Sequence, residues 1–211
     1  MSQGIVLQLQ AEALDETVDI EILLRKAFLV ARKLKLKDFE EWISHEQNGY
    51  KGNAPDYRMV SGEIKAWNPY HGWIPVVMEG EMADTLSKMP MNHPIATIAE
   101  AYKNNESTFM LTIGGELTEF LNKNVDGFPT NYGFHSSITE LKKIISAVRN
   151  KILEWSLLLE ENGIEGNGLK FTEKEIQTAK ESQVINNYTN NFYASTDNTM
   201  IQQGGADTII S

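Results

Sequence analysis

Cysteine is absent from this chain of 211 residues, which excludes disulfide bridges and thiolate metal ligands. Long apolar runs are absent too, because no run approaches the ~20 residues that a helix needs to cross a bilayer. The first residues have neither the basic start nor the apolar centre of a secretory signal. These absences predict a protein with no membrane span, and the cytoplasm is the simplest location for it.

Positive charge is scarce, since 19 lysines and arginines stand against 29 aspartates and glutamates and leave a net charge of −10. Nucleic-acid-binding proteins usually carry a basic face that releases counterions from the phosphates. The basic run between Arg25 and Lys37 is typical of the solvated side of a helix and the turn after it; a patch for DNA or anionic lipid is the alternative. We therefore expect no nucleic-acid partner.

The first part of the chain has the apolar spacing of helices. Apolar residues recur every three or four positions in three stretches, and each is predicted to be a helix: residues 5–14, 18–35 and 37–48. Leu7, Ala11 and Leu14 are expected on the inner face of the first helix. Asp15 or Thr17 is expected to cap the second one.

Extended segments follow the helices. Residues 57–67 and 73–77 predict a β-hairpin, because turn-forming pairs lie between them, and Pro75 places the second segment at a sheet edge or a bulge. Shorter elements are predicted beyond the hairpin: helices at 82–89 and 95–102, a strand at 108–113, a helix after Gly114 and a loop at 126–133.

A long helix is predicted over residues 138–162. Ser137 and Glu140 fit a capping box at its start. Apolar residues alternate at steps of three and four along it, which suits a seam against another helix. Such a seam is either the internal core of a bundle or a surface shared between protomers. Its residues are Ile138, Leu141, Ile145, Val148, Ile152, Trp155 and Leu159.

The composition changes near the C-terminus. A glycine-rich joint at 165–168 and a short helix begun by Thr172-x-x-Glu175 precede a stretch, residues 182–211, with no lysine or arginine and many Asn, Thr, Gln and Gly. One copy of this stretch has too few apolar groups to offset its loss of conformational entropy. The stretch is therefore either disordered or paired with the tails of sister chains. Its strand-like alternation involves Val184, Asn186, Tyr188, Asn190 and Phe192.

These patterns predict an α+β fold that is predominantly helical: a helical bundle with a small β-hairpin or sheet region and a polar, β-prone C-terminal tail. Residues 1–165 form the mixed helical and β domain in this prediction. Residues 166–211 form the joint, the short helix and an oligomerisation tail. Contacts between copies are expected at residues of the long helix and the tail: Ile138, Leu141, Ile145, Val148, Ile152, Trp155, Val184, Tyr188, Phe192 and Ile201.

Several short motifs resemble a known family. They are Leu23-Leu24-Arg25-Lys26-Ala27, Ala31-Arg32-Lys33-Leu34, Phe39-Glu40-Glu41-Trp42, Glu46-Gln47-Asn48-Gly49-Tyr50 and Pro55-Asp56-Tyr57-Arg58. In this order they resemble the AbiTii domain of bacterial abortive-infection systems, in which a cell attacked by phage shuts down or dies. The resemblance covers about residues 10–80. It implies a phage-defence setting and implies no particular reaction.

The polar groups that could carry chemistry concentrate between residues 41 and 77, which hold three of the four tryptophans. The histidines are scattered without the paired spacing of a metal site, and Gly114-Gly115 lacks the lysine of a phosphate loop. Two interpretations stand. Either the polar groups lock the helical and β parts together, with Arg58 paired to Glu46 or Asp56, or they line a binding groove. The groups are Glu46, Asn48, Asp56, Arg58, Asn68 and His71.

The first functional hypothesis is a defence protein that is not an enzyme and assembles with copies of itself as an effector or scaffold. Another defence protein, or a phage protein that acts as trigger, is a further expected partner. The alternative is a metal-dependent nuclease or other hydrolase with Glu46, Asp56, Arg58 and His71 as candidate catalytic residues. A third hypothesis is an adaptor for a neighbouring defence protein. The first hypothesis needs no cofactor and no bound metal.

Overall fold

The computed structural model describes residues 3–78, 80–104, 107–125, 127 and 129–192. In this part of the chain, helices predominate and five strands form a small antiparallel sheet, which confirms the predicted α+β class. The helices are α1 (Ile5–Leu14), α2 (Ile20–Leu34), α3 (Lys37–Asn48), α4 (Glu81–Leu86), α5 (Ile95–Asn104), α6 (Gly115–Asn124), α7 (Ile138–Glu161), α8 (Glu173–Glu181) and α9 (Gln183–Asn187), with 3₁₀ helices at Asp56–Arg58 and Tyr188–Phe192. The strands are β1 (Met59–Asn68), β2 (Gly72–Pro75), β3 (Lys88–Pro90), β4 (Thr108–Thr112) and β5 (Tyr132–Ser137).

α2 buries its predicted stripe but begins later than predicted. Asp19, rather than Asp15 or Thr17, caps it, and the Asp19 carboxylate accepts the N–H of Glu21 at 2.8 Å. Asp15 instead accepts the N–H and the hydroxyl of Thr17 in the preceding turn. Lys35, with a φ of 62°, then turns the chain into α3, which has the predicted bounds. The buried residues of α2 are Ile20, Leu23, Leu24, Ala27, Val30, Ala31 and Leu34.

α1 has the predicted bounds, but its predicted inner face is wrong. The face of Leu7, Ala11 and Leu14 is turned outward, and Leu14 is 70% exposed. Both faces of this helix have apolar residues at helical spacing, so periodicity alone could not choose between them. Packing against α7 and α2 determines which face of α1 is buried. The buried face is Ile5, Val6, Leu9 and Ala13.

The sheet has the strand order β2-β1-β5-β4, and all of its neighbouring strands are antiparallel. The predicted hairpin is present as β1 and β2, with Trp67 opposite Trp73. Pro75 lies in β2 at the edge of this order, as expected for a residue that cannot donate to a ladder. One face of the sheet packs against the helices, and the other carries the two tryptophans.

The loop predicted at residues 126–133 is wrong in its last part, because Tyr132 begins β5, a central strand. Phe134 is fully buried and lies between Ile64 of β1 and Leu111 of β4 in the strand register. Partners from two distant parts of the chain therefore fix this strand. Its own residues include a glycine and three serine or histidine side chains, which favour a strand only weakly.

The helix predicted at residues 82–89 is too long. α4 ends at Leu86, and the residues after it form β3, which pairs with the start of β1. The N–H of Gly62 in β1 donates to the backbone oxygen of Ser87 at 2.9 Å. These strand partners are distant in the sequence, so the local pattern could not reveal them.

α7 agrees with its prediction to within one residue. Ser137 caps it and accepts the N–H of Thr139 at 3.3 Å. Glu140 does not complete a capping box, because its carboxylate accepts the N–H of Ser61 in β1 at 3.0 Å. α7 packs against α1, α2 and α5 of the same chain, and every seam residue except Ile145 is buried. A second copy could reach this seam only if the fold opened.

α8 begins with the predicted capping box. Thr172 Oγ1 accepts the N–H of Glu175 at 3.2 Å, and Glu175 Oε2 accepts the N–H of Thr172 at 2.7 Å. Glu175 Oε1 also accepts the N–H groups of Glu165 and Gly166, which ties the joint to this helix. Ala179 of α8 is buried in the same core as the first part of the chain. The division of the chain at residues 165 and 166 stays a prediction.

The strand predicted over residues 184–192 is wrong, because the chain turns at Ser182 into α9 and the second 3₁₀ helix. Ile185 and Phe192 are buried in the core, so this part of the predicted tail folds back on its own chain. The predicted contact at Ile201 lies outside the described residues.

Candidate functional site

A buried network of hydrogen-bonded side chains surrounds Glu46 in the last turn of α3. Trp42 and Glu46 are four positions apart, so both lie on the buried face of the helix. Gly49, with a φ of 84°, ends α3, and the chain returns to the first 3₁₀ helix beside it. Four side chains meet here and form what we name the Glu46 cluster: Glu46, Tyr50, Tyr57 and Arg58.

Arg58 joins three segments of the chain. Its guanidinium forms an ion pair with Glu46, and neither side chain is exposed to solvent. Its Nη1 donates to the backbone oxygens of Met91 at 3.0 Å and His93 at 2.6 Å, just after β3. The ring of Tyr50 lies 5.0 Å from the guanidinium carbon. The Glu46 carboxylate, two backbone oxygens and the Tyr50 ring therefore compensate the positive charge of Arg58. Through Arg58, α3 is connected to both the start of β1 and the segment after β3.

The carboxylate of Glu46 is buried and accepts four hydrogen bonds. Its Oε1 accepts the hydroxyls of Tyr50 and Tyr57 at 2.6 Å each and the Nε of Arg58 at 3.3 Å, while Oε2 accepts Arg58 Nη2. Both oxygens of the carboxylate are therefore engaged by side chains of the cluster. Trp42 Nε1 donates to the Tyr57 hydroxyl at 2.8 Å and extends the network into the core. A metal ion or a substrate would have to displace one of these bonds.

The two phenols of the cluster are poor acids. Burial raises the pKa of Tyr50 and of Tyr57, and the neighbouring Glu46 carboxylate raises both further. Each hydroxyl therefore stays protonated and donates to Glu46 at neutral pH. Neither phenol suits a general base, because a base must accept a proton near the working pH. The Glu46 cluster therefore has the properties of a group that connects α3 to the first 3₁₀ helix and to the segment after β3.

Three of the predicted polar residues lie outside the cluster and face solvent: Asn48, Asp56 and His71. Asn48 donates locally to the backbone oxygen of Ser44 at 2.8 Å. The combination of Glu46, Asp56 and His71 that a hydrolase would use is not assembled. Glu46 is enclosed by its own partners, and neither of the other two is among them.

The two tyrosines were not predicted as partners of Glu46. A usable signal existed, because Tyr50 follows Glu46 by four residues and Tyr57 precedes Arg58 directly. Phenol hydroxyls beside a buried ion pair are natural donors to the carboxylate.

A second feature is the exposed tip of the β1–β2 hairpin. Asn68 Oδ1 accepts the N–H groups of Tyr70 at 2.9 Å and His71 at 3.2 Å, which fixes the turn as the sequence predicted. Tyr70 is 90% exposed, Val77 86% and Trp67 44%. We name the exposed and half-buried side chains of this region the hairpin patch: Trp67, Tyr70, Trp73, Ile74 and Val77.

Trp73 continues the hairpin patch onto the outer face of the sheet. Its ring lies 5.4 Å from that of Trp67 and 5.1 Å from that of His135, edge-on in both cases. Gly133 leaves room for this arrangement, since a Cβ there would lie 2.7 Å from Met110 Sδ and 3.3 Å from the Trp73 ring. Burial lowers the pKa of His135, and a neighbouring lysine lowers it further, which favours the neutral imidazole.

A shallow groove between α2 and α5 has a volume of about 360 Å³. Glu21 and Arg25, which line it, pair with each other at 2.9 Å rather than converge on a ligand. Among the residues that the structure describes, no group of three or more His, Asp or Glu side chains is placed to hold a metal ion. No helix in this part of the chain has the length and apolar character to cross a membrane.

Comparison with known proteins places the chain in a family. The family model for AbiTii, a bacterial abortive-infection family, matches residues 4–184. The match includes the Glu46 cluster, the hairpin patch and all of α7, so it extends well beyond the motifs near the N-terminus. Searches of curated proteins and of solved structures gave no match. Because the family model covers most of its length, this chain belongs to the AbiTii family.

Proposed function

We propose that this chain takes part in abortive infection as a component that is not an enzyme and acts by binding copies of itself and other proteins. Its AbiTii membership supports the defence setting. The observation that carries the non-enzymatic part is the closure of the Glu46 cluster, where a carboxylate and a guanidinium have no exposed surface and full sets of partners. Groups enclosed in this way hold the fold together and cannot meet a substrate without breaking their ion pair.

The hairpin patch supports binding to another protein. Trp67 and Trp73 have rings 5.4 Å apart and Tyr70 is 90% exposed beside them at the tip, and exposed apolar side chains of these types are frequent at protein contacts. Glu63 and Lys65 of β1 pair with each other at 2.9 Å, so this surface is close to neutral on a chain with a net charge of −10. The patch also favours the second candidate, an adaptor that contacts a neighbouring defence protein or a phage protein.

The proposal also includes self-association. Residues 193–211 contain no lysine or arginine and include three threonines, two serines and two glutamines, whose hydroxyls and amides pair in ladders when copies stack. The seam of α7 is filled within the chain, so this support comes from the tail rather than from the long helix.

The mass of the intact particle tests self-association. Light scattering behind a size-exclusion column compares the full chain with a variant that ends at Phe192, which keeps all the packed residues of the described core. We expect a larger particle for the full chain than for the shortened one. Monomeric masses of 23.8 kDa or less for both, at every concentration, would reject self-association.

A phage-protection assay tests the binding role. Cells that carry Asp56→Ala should resist phage as well as the wild type does, because this side chain faces solvent away from the cluster. Tyr70→Ser combined with Val77→Ser should abolish protection without changing the melting temperature. Leu157→Ser is the matched control, since Leu157 is 41% exposed on α7. Loss of protection by Asp56→Ala in a fully stable protein would favour the hydrolase instead.

A further inference from the structure

Residues 183–192 rest on a group of aromatic side chains from α3 and α7. The rings of Phe39 and Trp155 stack with centroids 3.8 Å apart, and Trp42 lies 4.9 Å from Phe39. Both tryptophans are completely buried in this arrangement. Lys151, one turn before Trp155, borders the same surface. We name this surface the aromatic seat: Phe39, Trp42, Lys151 and Trp155.

Three side chains anchor the segment in the aromatic seat. Phe192 meets Trp42 edge-on at 5.3 Å, and Lys151 Nζ lies 3.8 Å from the centre of its ring. Tyr188 packs edge-on against Phe192 at 4.9 Å and donates its hydroxyl to the backbone oxygen of Lys151 at 3.0 Å. Ile185 is buried as well. The segment is thus held by a few side chains, and no strand ladder attaches it to the body.

A single residue, Ser182, separates this segment from α8. Its φ of −72° is already close to the helical value, whereas its ψ of 108° is not. Its N–H donates to Thr178 as in a continuing helix, and its backbone oxygen accepts the N–H of Asn186 as in the next one, both at 3.0 Å. A rotation about ψ of Ser182 would therefore join α8 and the segment into one helix.

The anchors would form a stripe on such a joined helix. Ile185, Tyr188 and Phe192 stand at positions i, i+3 and i+7, which places them on one face. The helix would carry Phe192 about 15 Å beyond Ser182 and away from its own seat. Both the stripe and the vacated seat would then be exposed to water. The occupant for which that seat is already shaped is the same stripe from a second copy.

We propose that copies of this chain exchange residues 183–192, with Ser182 as the hinge, so that the segment of one copy docks in the aromatic seat of another. This inference deepens the self-association proposed above and rests on it. Reciprocal exchange closes a dimer, whereas exchange passed from copy to copy builds an open chain of subunits. Lys151 favours an aromatic ring at position 192 in either arrangement, because its ammonium is attracted to the ring face.

Substitutions at the hinge shift the exchange in opposite directions. Gln183→Pro should keep the closed form, because proline suits the first position of α9 and holds the residue before it near the present ψ of Ser182. Ser182→Ala should favour the joined helix, since it removes the hydroxyl that accepts the N–H of Ile185 at 3.4 Å and raises helix propensity. Gln183→Ala is the matched control for the proline variant.

Photo-crosslinking of the full chain measures the exchange. Each variant is prepared in two forms, one with p-benzoylphenylalanine in place of Phe192 and one with a mass tag, and the two are mixed and illuminated. Relative to Gln183→Ala, we expect about a fivefold lower yield of tagged adduct for Gln183→Pro and about a twofold higher yield for Ser182→Ala. Melting temperatures should stay within a few degrees of each other, which shows that each variant folds.

The outcomes of this experiment distinguish exchange of residues 183–192 from self-association by another route. Equal adduct yields for Gln183→Pro and Gln183→Ala would overturn the exchange while leaving self-association through residues 193–211 standing. Monomeric masses with no adduct for any variant, Ser182→Ala included, would overturn both. Adducts that mass spectrometry maps outside the aromatic seat would overturn the seat as the docking surface.

Discussion

Glu46→Gln is the substitution that examines the Glu46 cluster most directly. Glutamine keeps the shape of the side chain but removes the charge, so the buried guanidinium of Arg58 loses its counterion. Breaking one side of a buried ion pair costs about 3–5 kcal/mol. Domains of ordinary stability unfold with about 5–15 kcal/mol, so this loss is a large fraction of the total. We expect the variant to fold only marginally at the growth temperature of a bacterium.

Thermal unfolding followed by circular dichroism measures this loss. For a domain of this size each kcal/mol shifts the melting temperature by roughly 2–4 °C, so a fall of about 6–20 °C is expected. Glu41→Gln is the matched control on the same helix, because Glu41 is exposed. Its effect should stay within about 0.5 kcal/mol.

A double-mutant cycle shows whether the cost comes from the unpaired charge. Arg58→Met alone leaves the carboxylate of Glu46 without its cation and should also cost about 3–5 kcal/mol. In the Glu46→Gln background the same change should cost at most about 1 kcal/mol, because the uncompensated guanidinium is removed. Additive losses would refute the structural interpretation. So would a double variant that unfolds at nearly the wild-type temperature yet fails to protect cells from phage.

Three further predictions follow from particular contacts. Burial and the nearby carboxylate raise the pKa of Tyr50, so the unfolded chain releases this phenol proton at a lower pH than the folded chain. The stability that this difference contributes is present below a pH of about 10 and should fall as the pH rises further. In urea unfolding, Tyr50→Phe should flatten that fall. Burial lowers the pKa of His135, so its NMR titration midpoint should lie below the ordinary histidine pKa. The stability that neutral His135 contributes above the ordinary histidine pKa should be lost as the pH falls. The variant His135→Gln identifies the resonance. Gly133→Ala should cost about 1–3 kcal/mol in urea unfolding, and Met110→Ala should recover the loss, since a Cβ at position 133 would lie 2.7 Å from Met110 Sδ. Gly62→Ala should not be rescued by that change, because its Cβ would lie 2.5 Å from a backbone oxygen; equal rescue at both positions would contradict the packing described above.

The helices were predictable where one apolar stripe dominates. α2 buries its predicted stripe and α3 has its predicted bounds, because local spacing identifies both, although the cap of α2 lies at Asp19 rather than at the predicted positions. Local spacing does not predict the buried face of α1, because its two sides are similarly apolar. The choice between them depends on α7, which lies more than a hundred residues later in the chain.

The sheet was predictable only where a turn joins its strands. The β1–β2 hairpin has its turn residues beside it in the sequence, whereas β5 depends on partners in β1 and β4. Phe134 becomes part of a strand because Ile64 and Leu111 flank it, and neither is close in sequence. Strand preference depends on such neighbours more than on the residues themselves.

The site was predictable in part. The sequence offered Glu46 and Asp56 as equal partners for Arg58, and nothing local distinguished them. The structure distinguishes them by direction, because Asp56 shares a 3₁₀ helix with Arg58 but is exposed, whereas Glu46 lies on the buried face of α3. A pairing between residues twelve apart therefore depended on how α3 packs, and the tyrosine donors followed from the same packing.

The C-terminal segment shows how composition misleads about order. Residues 183–192 belong to the stretch predicted to have too few apolar groups to order itself, and their alternation of Val184, Tyr188 and Phe192 with asparagines is typical of a strand. That estimate assumes that the segment must build its own core. In the structure it needs only to dock, because α3 and α7 already present the aromatic seat and three anchors fill it. Opening the segment exposes Ile185, Phe192 and the seat, and burial of a large apolar side chain contributes about 1.5–3 kcal/mol. Because docking in a second copy restores the same contacts, exchange has this cost only while the segment is open and not in the exchanged assembly.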